Sequence, residues 1–194
     1  MIYNMNALVN FEPMLLAMLQ QGDYVGFTFF IGSMAMAAAT VFFFFQYSKV
    51  ETQWKDSLLV SGLITFIAAV HYYYMRDFWA ETGQSPTEFR YIDWILTVPL
   101  MCVEFYLITK KAGAKVGLLW RLIIASLAML LFGFLGESTG IYNTEETATM
   151  SWIMGLLSGL AYFYILYMVM FGEVKDLAAQ AGPKVAKAVK ILAW

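Results

Sequence analysis

Residues Arg90–Tyr106 read RYIDWILTVPLMCVEFY, an apolar stretch that carries an arginine and two carboxylates. Ionisable groups inside a membrane-spanning helix are costly and usually mark the path of a proton or an ion. Asp93 and Thr97 are one helical turn apart, so they face the same way. Glu104 returns to that face three turns later, about 16 Å further along the helix. Two carboxylates on one face at two depths predict a proton relay, in which one accepts a proton and the other supplies one.

Simpler explanations remain open for these charges. Asp93 and Arg90 are three positions apart, which is the spacing of an ion pair at a membrane interface. Glu104 has a side chain long enough to extend its carboxylate toward water. His71 is the single histidine and precedes three tyrosines. It either tunes a nearby carboxylate or forms a hydrogen bond within an aromatic belt at the interface.

The composition indicates a membrane protein. Of 194 residues, 61% are hydrophobic and 13% are charged, against about 45–50% apolar and about 25% charged residues in soluble domains. A net charge of −2 argues against nucleic acid as a partner, because such proteins carry clustered basic surface. The single cysteine, Cys102, provides neither a disulfide nor a cysteine-based metal site, and we expect no bound metal.

Five apolar segments are long enough to cross a bilayer as helices, which takes about 20 residues each. A sixth apolar helix is predicted to begin after Pro183. Continuous runs of this length differ from the alternating strands of a membrane barrel, so the prediction is an all-α, multi-pass membrane helical bundle. The five predicted segments are Tyr24–Gln46, Ser57–Phe78, Phe89–Ile108, Val116–Gly136 and Met150–Gly172.

The basic residues predict the orientation, because cytoplasmic loops carry an excess of Lys and Arg. Ten of the 12 basic residues fall on one side of the predicted helices, and only Arg76 and Arg90 fall on the other. We therefore expect the N-terminus outside the cell, with residues 1–22 as an extracellular segment and 23–194 as the transmembrane domain. The link 137–149 contains three glutamates and no basic residue, so it is predicted to be an outer loop.

The stretch RYIDWILTVPLMCVEFY closely resembles the third helix of proteorhodopsin-type proton pumps, a branch of the microbial rhodopsins. The motifs HYYYMR, ETGQSPTEFR, FGFLGE and GLAYFYILY are similar to that family's second helix, the loop after it, and its fourth and fifth helices. The similarity runs from about residue 23 to about residue 172. It implies a seven-helix rhodopsin fold, of which five complete helices and the start of the sixth are present, and retinal as the cofactor.

The resemblance implies roles in light-driven outward proton transport for five residues. Asp93 is then the counterion of the retinal Schiff base and the primary proton acceptor, while Glu104 is the cytoplasmic proton donor. Thr97 positions the acceptor, Arg90 stabilises the ionised outer half, and His71 pairs with Asp93.

The same resemblance implies a retinal pocket, in which Trp94 stacks on the polyene. In this family an apolar residue at the Met101 position goes with green absorption and glutamine goes with blue. Tyr162 stands where the family usually has a tryptophan. Judged by their chemistry alone, Met129 and Gly133 are ordinary packing residues. The full set of predicted pocket residues is Trp94, Thr97, Met101, Met129, Gly133 and Tyr162.

The family's retinal-binding lysine lies on a seventh helix, which this sequence does not include. Lys184, Lys187 and Lys190 are predicted to lie at the cytoplasmic start of the sixth helix, so they cannot replace it. We expect that the complete polypeptide is longer. A denatured mass several kilodaltons above 22.0 kDa is then expected on electrophoresis.

Two hypotheses follow for the function. The first is an outward proton pump, a transporter rather than an enzyme, in the cell membrane and assembled as a homo-oligomer. The second is a non-pumping membrane protein, either a sensory photoreceptor or a truncated structural protein. The carboxylate at Glu104 favours the pump, because sensory relatives generally lack a donor at that position.

Overall fold

The computed structural model describes residues 22–140 and 145–193. These residues form helices and no strands, which confirms the predicted all-α fold. A short 3₁₀ turn, Lys110–Ala112, follows the third helix. The helices are α1 (Tyr24–Gln46), α2 (Thr52–Thr82), α3 (Thr87–Thr109), α4 (Val116–Gly140), α5 (Glu145–Met170), α6 (Glu173–Gln180) and α7 (Pro183–Leu192). Most of the predicted extracellular segment, residues 1–21, lies outside the described residues.

Five stretches of the described chain are long and apolar enough to cross a membrane. Each contains one of the five predicted segments, and each centres on one of the helices α1 to α5. Large apolar side chains cover their outer faces; Phe45, for example, is 72% exposed and Ile124 is 62% exposed. Such a surface requires lipid around it. The chain is a multi-pass membrane protein.

Helix α3 lies centrally among the described helices. Consecutive helices pack against each other from α1 to α5, and α3 also contacts α6 and α7. Because α3 is covered by α2 on one side and by α4 on another, its ionisable side chains can face protein instead of lipid. The face of α3 that carries Asp93 and Glu104 therefore lies inside the bundle.

Hydroxyl groups and glycine hold neighbouring helices together. The Ser33 hydroxyl on α1 donates a hydrogen bond of 2.9 Å to the Ala69 carbonyl on α2. The Ser151 hydroxyl on α5 donates to the Gly136 carbonyl on α4 at 2.5 Å. A Cβ atom at Gly136 would lie 3.1 Å from the Ser151 carbonyl oxygen, so a larger residue would push α4 and α5 apart. Small residues at helix contacts are typical of membrane bundles.

Asp23 joins the start of α1 to the last part of α2. Its Oδ1 accepts a hydrogen bond of 2.8 Å from the Gly26 amide, which caps the start of α1. The same oxygen accepts a bond of 3.0 Å from the indole nitrogen of Trp79 on α2. The Gly26 amide, followed by the Trp79 indole, lowers the pKa of Asp23 because both bonds stabilise the carboxylate.

Several helix ends differ from the predicted ones. Helix α2 continues four residues beyond Phe78 and stops at Gly83, whose φ of 64° is a left-handed conformation that favours glycine. Helix α4 continues through Glu137, so the prediction that residue 137 begins an outer loop is wrong. The predicted sixth apolar helix corresponds to α7, which begins at Pro183 and not after it.

The sequence reasoning did not predict α6. This helix has the sequence EVKDLAAQ and buries Val174 and Ala178, which are one turn apart, in an apolar cluster with residues of α3, α4, α5 and α7. Two buried residues in eight are too short a pattern to be recognised by a search for apolar runs of membrane-spanning length. Its existence depends on the apolar surface that the other helices provide.

Candidate functional site

Asp93 and His71 lie side by side between α3 and α2. Asp93 is 3% exposed, and its Oδ1 is 3.7 Å from Nδ1 of His71, which is longer than a hydrogen bond. The same His71 nitrogen lies 2.9 Å from the Ile67 carbonyl oxygen, to which it donates when it carries a proton. Oδ1 of Asp93 is left without a hydrogen-bond partner within the described residues. A buried oxygen in this condition is costly and marks a place for a donor or a cation.

Thr97 lies on the same buried face as Asp93 but contacts the helix backbone. Its hydroxyl donates a hydrogen bond of 3.0 Å to the main-chain carbonyl of Asp93, one turn earlier. Threonine hydroxyls commonly make this bond inside helices. In this structure the hydroxyl is therefore directed to the Asp93 backbone, and the carboxylate does not receive it.

Arg90 pairs with a carboxylate on α4. Its Nη2 donates to Oε1 of Glu137 and, at 3.2 Å, to the hydroxyl of Thr87. The Thr87 hydroxyl donates to the same Glu137 oxygen at 3.1 Å. The guanidinium carbon of Arg90 also lies 5.6 Å from the centre of the Trp94 ring, within the range of a cation–π contact. Arg90 is thus held one turn before Asp93 on α3.

Glu137 is a member of this site that the sequence reasoning missed. The glutamate was assigned to an outer loop, where a carboxylate needs no partner. The signal that could have placed it in the bundle is the apolar run FGFL directly before Gly136 and Glu137, which extends the helix by one more turn. A carboxylate on that turn faces the outer end of α3.

Glu104 is buried at the other end of the α3 face and has two partners on α2. It is 8% exposed. Its Oε1 accepts hydrogen bonds from the hydroxyls of Ser61 at 2.5 Å and Ser57 at 3.3 Å. Both hydroxyls stabilise the carboxylate that remains after the side chain gives up a proton. The two serines are four residues apart, so they share a helical face, but the sequence reasoning did not single them out.

An apolar cavity of about 250 Å³ lies between α3, α4, α5 and α7. Three of the predicted pocket residues line it: Met101, Met129 and Tyr162. This cavity volume is slightly smaller than that of typical ligand sites, which is about 300–1,000 Å³. Aromatic and aliphatic side chains make up most of the remaining wall, which suits a long apolar ligand.

The other predicted pocket residues lie outside that cavity wall. The Trp94 ring packs edge to face on Tyr91, with ring centres 5.1 Å apart. Gly133 faces the same tyrosine, because a Cβ atom added there would lie 3.1 Å from the Tyr91 hydroxyl and 3.2 Å from Oγ of Ser158. Thr97 points to the backbone, as described above. The structure therefore places Met101, Met129 and Tyr162 at the cavity and Trp94 and Gly133 at Tyr91, while Thr97 belongs to neither group.

Comparison with known proteins decides the family. The sequence model of the bacteriorhodopsin-like proteins matches residues 23–194, which is most of the chain. This chain belongs to the bacteriorhodopsin-like family. The membership agrees with the resemblance that the third-helix motif indicated, and with the helical bundle described above.

Two proteorhodopsins are among the similar members of this family. The green-light absorbing proteorhodopsin of Gamma-proteobacterium EBAC31A08 is 44% identical over 177 residues, which cover 91% of this chain and 68% of that protein. The blue-light absorbing proteorhodopsin of Gamma-proteobacterium Hot 75m4 is 46% identical over 167 residues, which cover 86% of this chain and 63% of that protein.

Solved structures of bacteriorhodopsin-like proteins share this fold. The blue light-absorbing proteorhodopsin from Med12 is 41% identical and superimposes with a TM-score of 0.67, over 87% of this chain and 75% of that one. The rhodopsin of Exiguobacterium sibiricum is 31% identical with a TM-score of 0.72, over 87% of this chain and 71% of that one. The architecture is therefore that of the seven-helix rhodopsins.

Members of the bacteriorhodopsin-like family bind retinal, and the residues described here fit that group. The cavity wall is apolar, as a polyene requires. Val98 lines the cavity and lies five residues, about 7.5 Å, from Asp93 along α3 in the direction of Glu104. The unpartnered oxygen of Asp93 suits the protonated nitrogen at the end of such a chromophore.

Proposed function

We propose that the complete protein is a light-driven outward proton pump with Asp93 as the proton acceptor and Glu104 as the proton donor. The observation that carries this proposal is the pair of buried carboxylates on one face of α3, 3% and 8% exposed. They lie about 16 Å apart along the helix, each beside polar groups of α2. The names of the similar proteins support it: green- and blue-light absorbing proteorhodopsins, and xanthorhodopsin, a light-driven ion pump that is 27% identical to this chain.

Retinal would supply light absorption and, through a Schiff base, a protonated nitrogen. Met101, Met129 and Tyr162 would hold the apolar part of the chromophore, since they line the cavity. Trp94 is the candidate for stacking on the polyene. The Asp93 carboxylate would balance the positive charge through its unpartnered Oδ1.

Asp93 takes up a proton at its carboxylate after light absorption and later releases it outward. His71 lies close enough to influence the charge of Asp93 at every stage. A proton that leaves Asp93 passes the paired side chains of Arg90 and Glu137, which lie one turn closer to the outer surface. Their opposite charges compensate each other, and both side chains are partly exposed.

Glu104 supplies the replacement proton from the cytoplasmic side. We expect it to be protonated at rest, because an isolated charge in a largely apolar interior is costly. When it donates, the hydroxyls of Ser57 and Ser61 stabilise the carboxylate that is left. The Glu104 carboxylate then takes up a proton from the cytoplasm, which completes the transfer of one proton outward.

The test of this function is the pH of an unbuffered suspension of cells that express the full-length protein with retinal. Illumination should acidify the medium, and a protonophore should abolish the change. A pigment that absorbs light but leaves the pH of the medium unchanged would support the sensory alternative instead.

The orientation gives a separate prediction, motivated by the ten-to-two distribution of basic residues. In a Cys102→Ala background, a membrane-impermeant thiol reagent added to intact cells should label Gln84→Cys, in the α2–α3 link. It should not label Lys111→Cys, in the 3₁₀ turn. Both positions are exposed, so accessibility differs only by side. Labelling of Lys111→Cys from outside would reverse the topology.

The colour of the pigment gives another prediction. Met101 lines the apolar cavity, and by the family pattern an apolar residue there predicts green absorption. Met101→Gln should shift the absorption band of the full-length pigment to shorter wavelength. Met150→Gln is the matched control, since Met150 on α5 has a similar exposure but does not line that cavity. An unmoved spectrum in Met101→Gln would exclude Met101 from the chromophore pocket.

A further inference from the structure

The distance between Glu104 and Asp93 is too long for a proton to cross in one step. The two residues are about 16 Å apart along α3, whereas a proton moves only between atoms in hydrogen-bond contact or through one water. Groups at intermediate depth are therefore needed to pass the proton on. On α2 this interval runs from Ser61, which contacts Glu104, to His71, which lies beside Asp93.

A single polar side chain occupies that interval of α2. Residues 62–70 read GLITFIAAV, and Thr65 is the one residue among them whose side chain can form a hydrogen bond. It follows Ser61 by one turn, about 6 Å, and precedes His71 by about 9 Å along the helix. The half-buried Thr65 therefore lies at a depth between the proposed donor and the proposed acceptor.

The Thr65 hydroxyl meets a second threonine, Thr40 of α1. Oγ1 of Thr40, a residue that is 5% exposed, lies 2.9 Å from Oγ1 of Thr65. Oγ1 of Thr65 also lies 3.1 Å from the carbonyl oxygens of both Ser61 and Gly62. Oγ1 of Thr40 lies 2.8 Å from the carbonyl oxygen of Met36. The two hydroxyls thus form a hydrogen-bonded pair where α1 and α2 meet.

The hydroxyls along this face of α2 each have one proton and a choice of acceptors. Thr65 can donate to either of two carbonyl oxygens while it accepts from Thr40. Ser61 can donate to the Ser57 carbonyl at 3.1 Å or to Glu104 at 2.5 Å. Rotation about the C–O bond exchanges these acceptors without the loss of a hydrogen bond. A hydroxyl needs this freedom in order to receive a proton on one side and release its own on another.

We propose that Thr65 is a relay residue for the proton that Glu104 donates, and that Thr40 holds its hydroxyl in place. This inference rests on the proposed function, because it requires Glu104 to be the donor. Glu104 gives its proton to the Ser61 hydroxyl oxygen, whose own proton moves to a water molecule, and that water passes a proton to Thr65 in the same way. Each hydroxyl and each water keeps its number of protons. Glu104 ends as a carboxylate, and one proton leaves Thr65 through water toward the region beside Asp93.

A purely structural role gives different expectations for the same hydroxyl. Threonine hydroxyls often bond to the carbonyl one turn earlier in a helix, and they also link neighbouring membrane helices. A structural hydroxyl affects how the fold holds together. A relay hydroxyl affects the rate of proton transfer even when the fold and the carboxyl group of Glu104 are unchanged.

Flash photolysis of the full-length pigment with retinal measures the relay. Thr65→Val removes the hydroxyl and keeps the branched shape, so recovery of the photocycle should slow by roughly tenfold, less than for loss of a positioned acid. The effect is smaller because water still bridges part of the gap. Thr65→Ser returns the hydroxyl and should restore most of the rate. Thr28→Val is the matched control, since the exposed Thr28 on α1 donates to the Val25 carbonyl and its loss should leave recovery unchanged.

The infrared C=O stretch of the Glu104 carboxyl, measured in the full-length protein without retinal, separates a relay from a positioning role. The band is assigned by its loss in Glu104→Gln. Ser61→Ala removes a hydrogen bond to that carboxyl and should shift the band. Thr65→Val should leave the band in place, because the Thr65 hydroxyl bonds to Thr40 and to the main chain. An equal shift in Ser61→Ala and Thr65→Val would make Thr65 a positioning residue and overturn the relay.

The rates of the variants decide between the relay and the pump proposal itself. Recovery of Thr65→Val at the rate of the unmodified protein would overturn the relay, and so would a Thr65→Ser variant that is as slow as Thr65→Val. In both cases a slow Glu104→Gln variant would leave the pump proposal standing. If Thr65→Val does not fold, Thr65→Ala tests the same hydroxyl against Thr65→Ser. Fast recovery of Glu104→Gln would instead remove the donor, and with it the proposed function.

Discussion

Glu104→Gln is expected to slow the recovery of the photocycle by roughly a hundredfold at neutral pH while leaving the colour of the full-length pigment nearly unchanged. The amide has no proton to give, and a positioned acid or base typically contributes about 10²–10⁴-fold to a rate. The colour should persist because residue 104 lies about 16 Å along α3 from Asp93, far from the charged end of the chromophore. Time-resolved absorption after a laser flash measures both properties.

Two control variants test whether the slow recovery is specific to the carboxyl group of Glu104. Glu51→Gln removes an exposed carboxylate from the link before α2 and should leave the recovery rate unchanged. Glu104→Asp keeps a carboxyl group and should restore part of the rate. If Glu104→Gln recovers as fast as the unmodified protein, then Glu104 is not the donor.

The fold could be predicted from the sequence because a segment that crosses a lipid bilayer must meet a few simple requirements. A spanning segment needs about 20 apolar residues in a helix that satisfies its own backbone. The run Val116–Gly136 meets these conditions, and the structure places it inside α4. Helix α6 could not be found in this way, since its two buried residues acquire meaning only from the surface they pack against.

Only the part of the candidate site that lies on a single helix, α3, could be predicted from the sequence. Spacing alone places Asp93 and Glu104 on one face of α3, and both are buried. Their partners come from other helices, and which side chain meets which depends on how those helices are rotated about their axes. The two serines that contact Glu104 were therefore missed, because nothing in the sequence of α2 distinguishes them from other small polar residues of a helix.

Arg90 illustrates the same limit at the outer end. Its distance of three residues from Asp93 is compatible with an ion pair between them. The structure instead pairs it with Glu137 of α4, a residue 47 positions away in the sequence. No local pattern distinguishes these two partners. The rotation of α4 against α3 decides between them.

The charge of Asp93 should determine the colour of the full-length pigment. Acidification protonates Asp93 and removes negative charge beside the Schiff base, so the absorption band should move to longer wavelength. Asp93→Asn should reproduce the colour of the acid form at every pH, because the amide cannot ionise. Replacing His71 should shift the midpoint of the colour titration, since its ring lies 3.7 Å from the carboxylate. A titration unchanged by Asp93→Asn would assign the colour change to another group.

Asp93→Asn should also abolish outward proton pumping while leaving the fold and the pigment in place. The substitution keeps the size of a side chain that is 3% exposed, so it should not disturb the packing of α3. It removes the proposed acceptor, so a proton released inside the protein loses the carboxylate that the proposal assigns to receive it. The measurement is the light-induced pH change of a suspension of cells that express the variant. Asp56→Asn, which alters an exposed aspartate on α2, is the matched control and should pump normally. Sustained acidification by Asp93→Asn that a protonophore abolishes would place the acceptor elsewhere and overturn the mechanism.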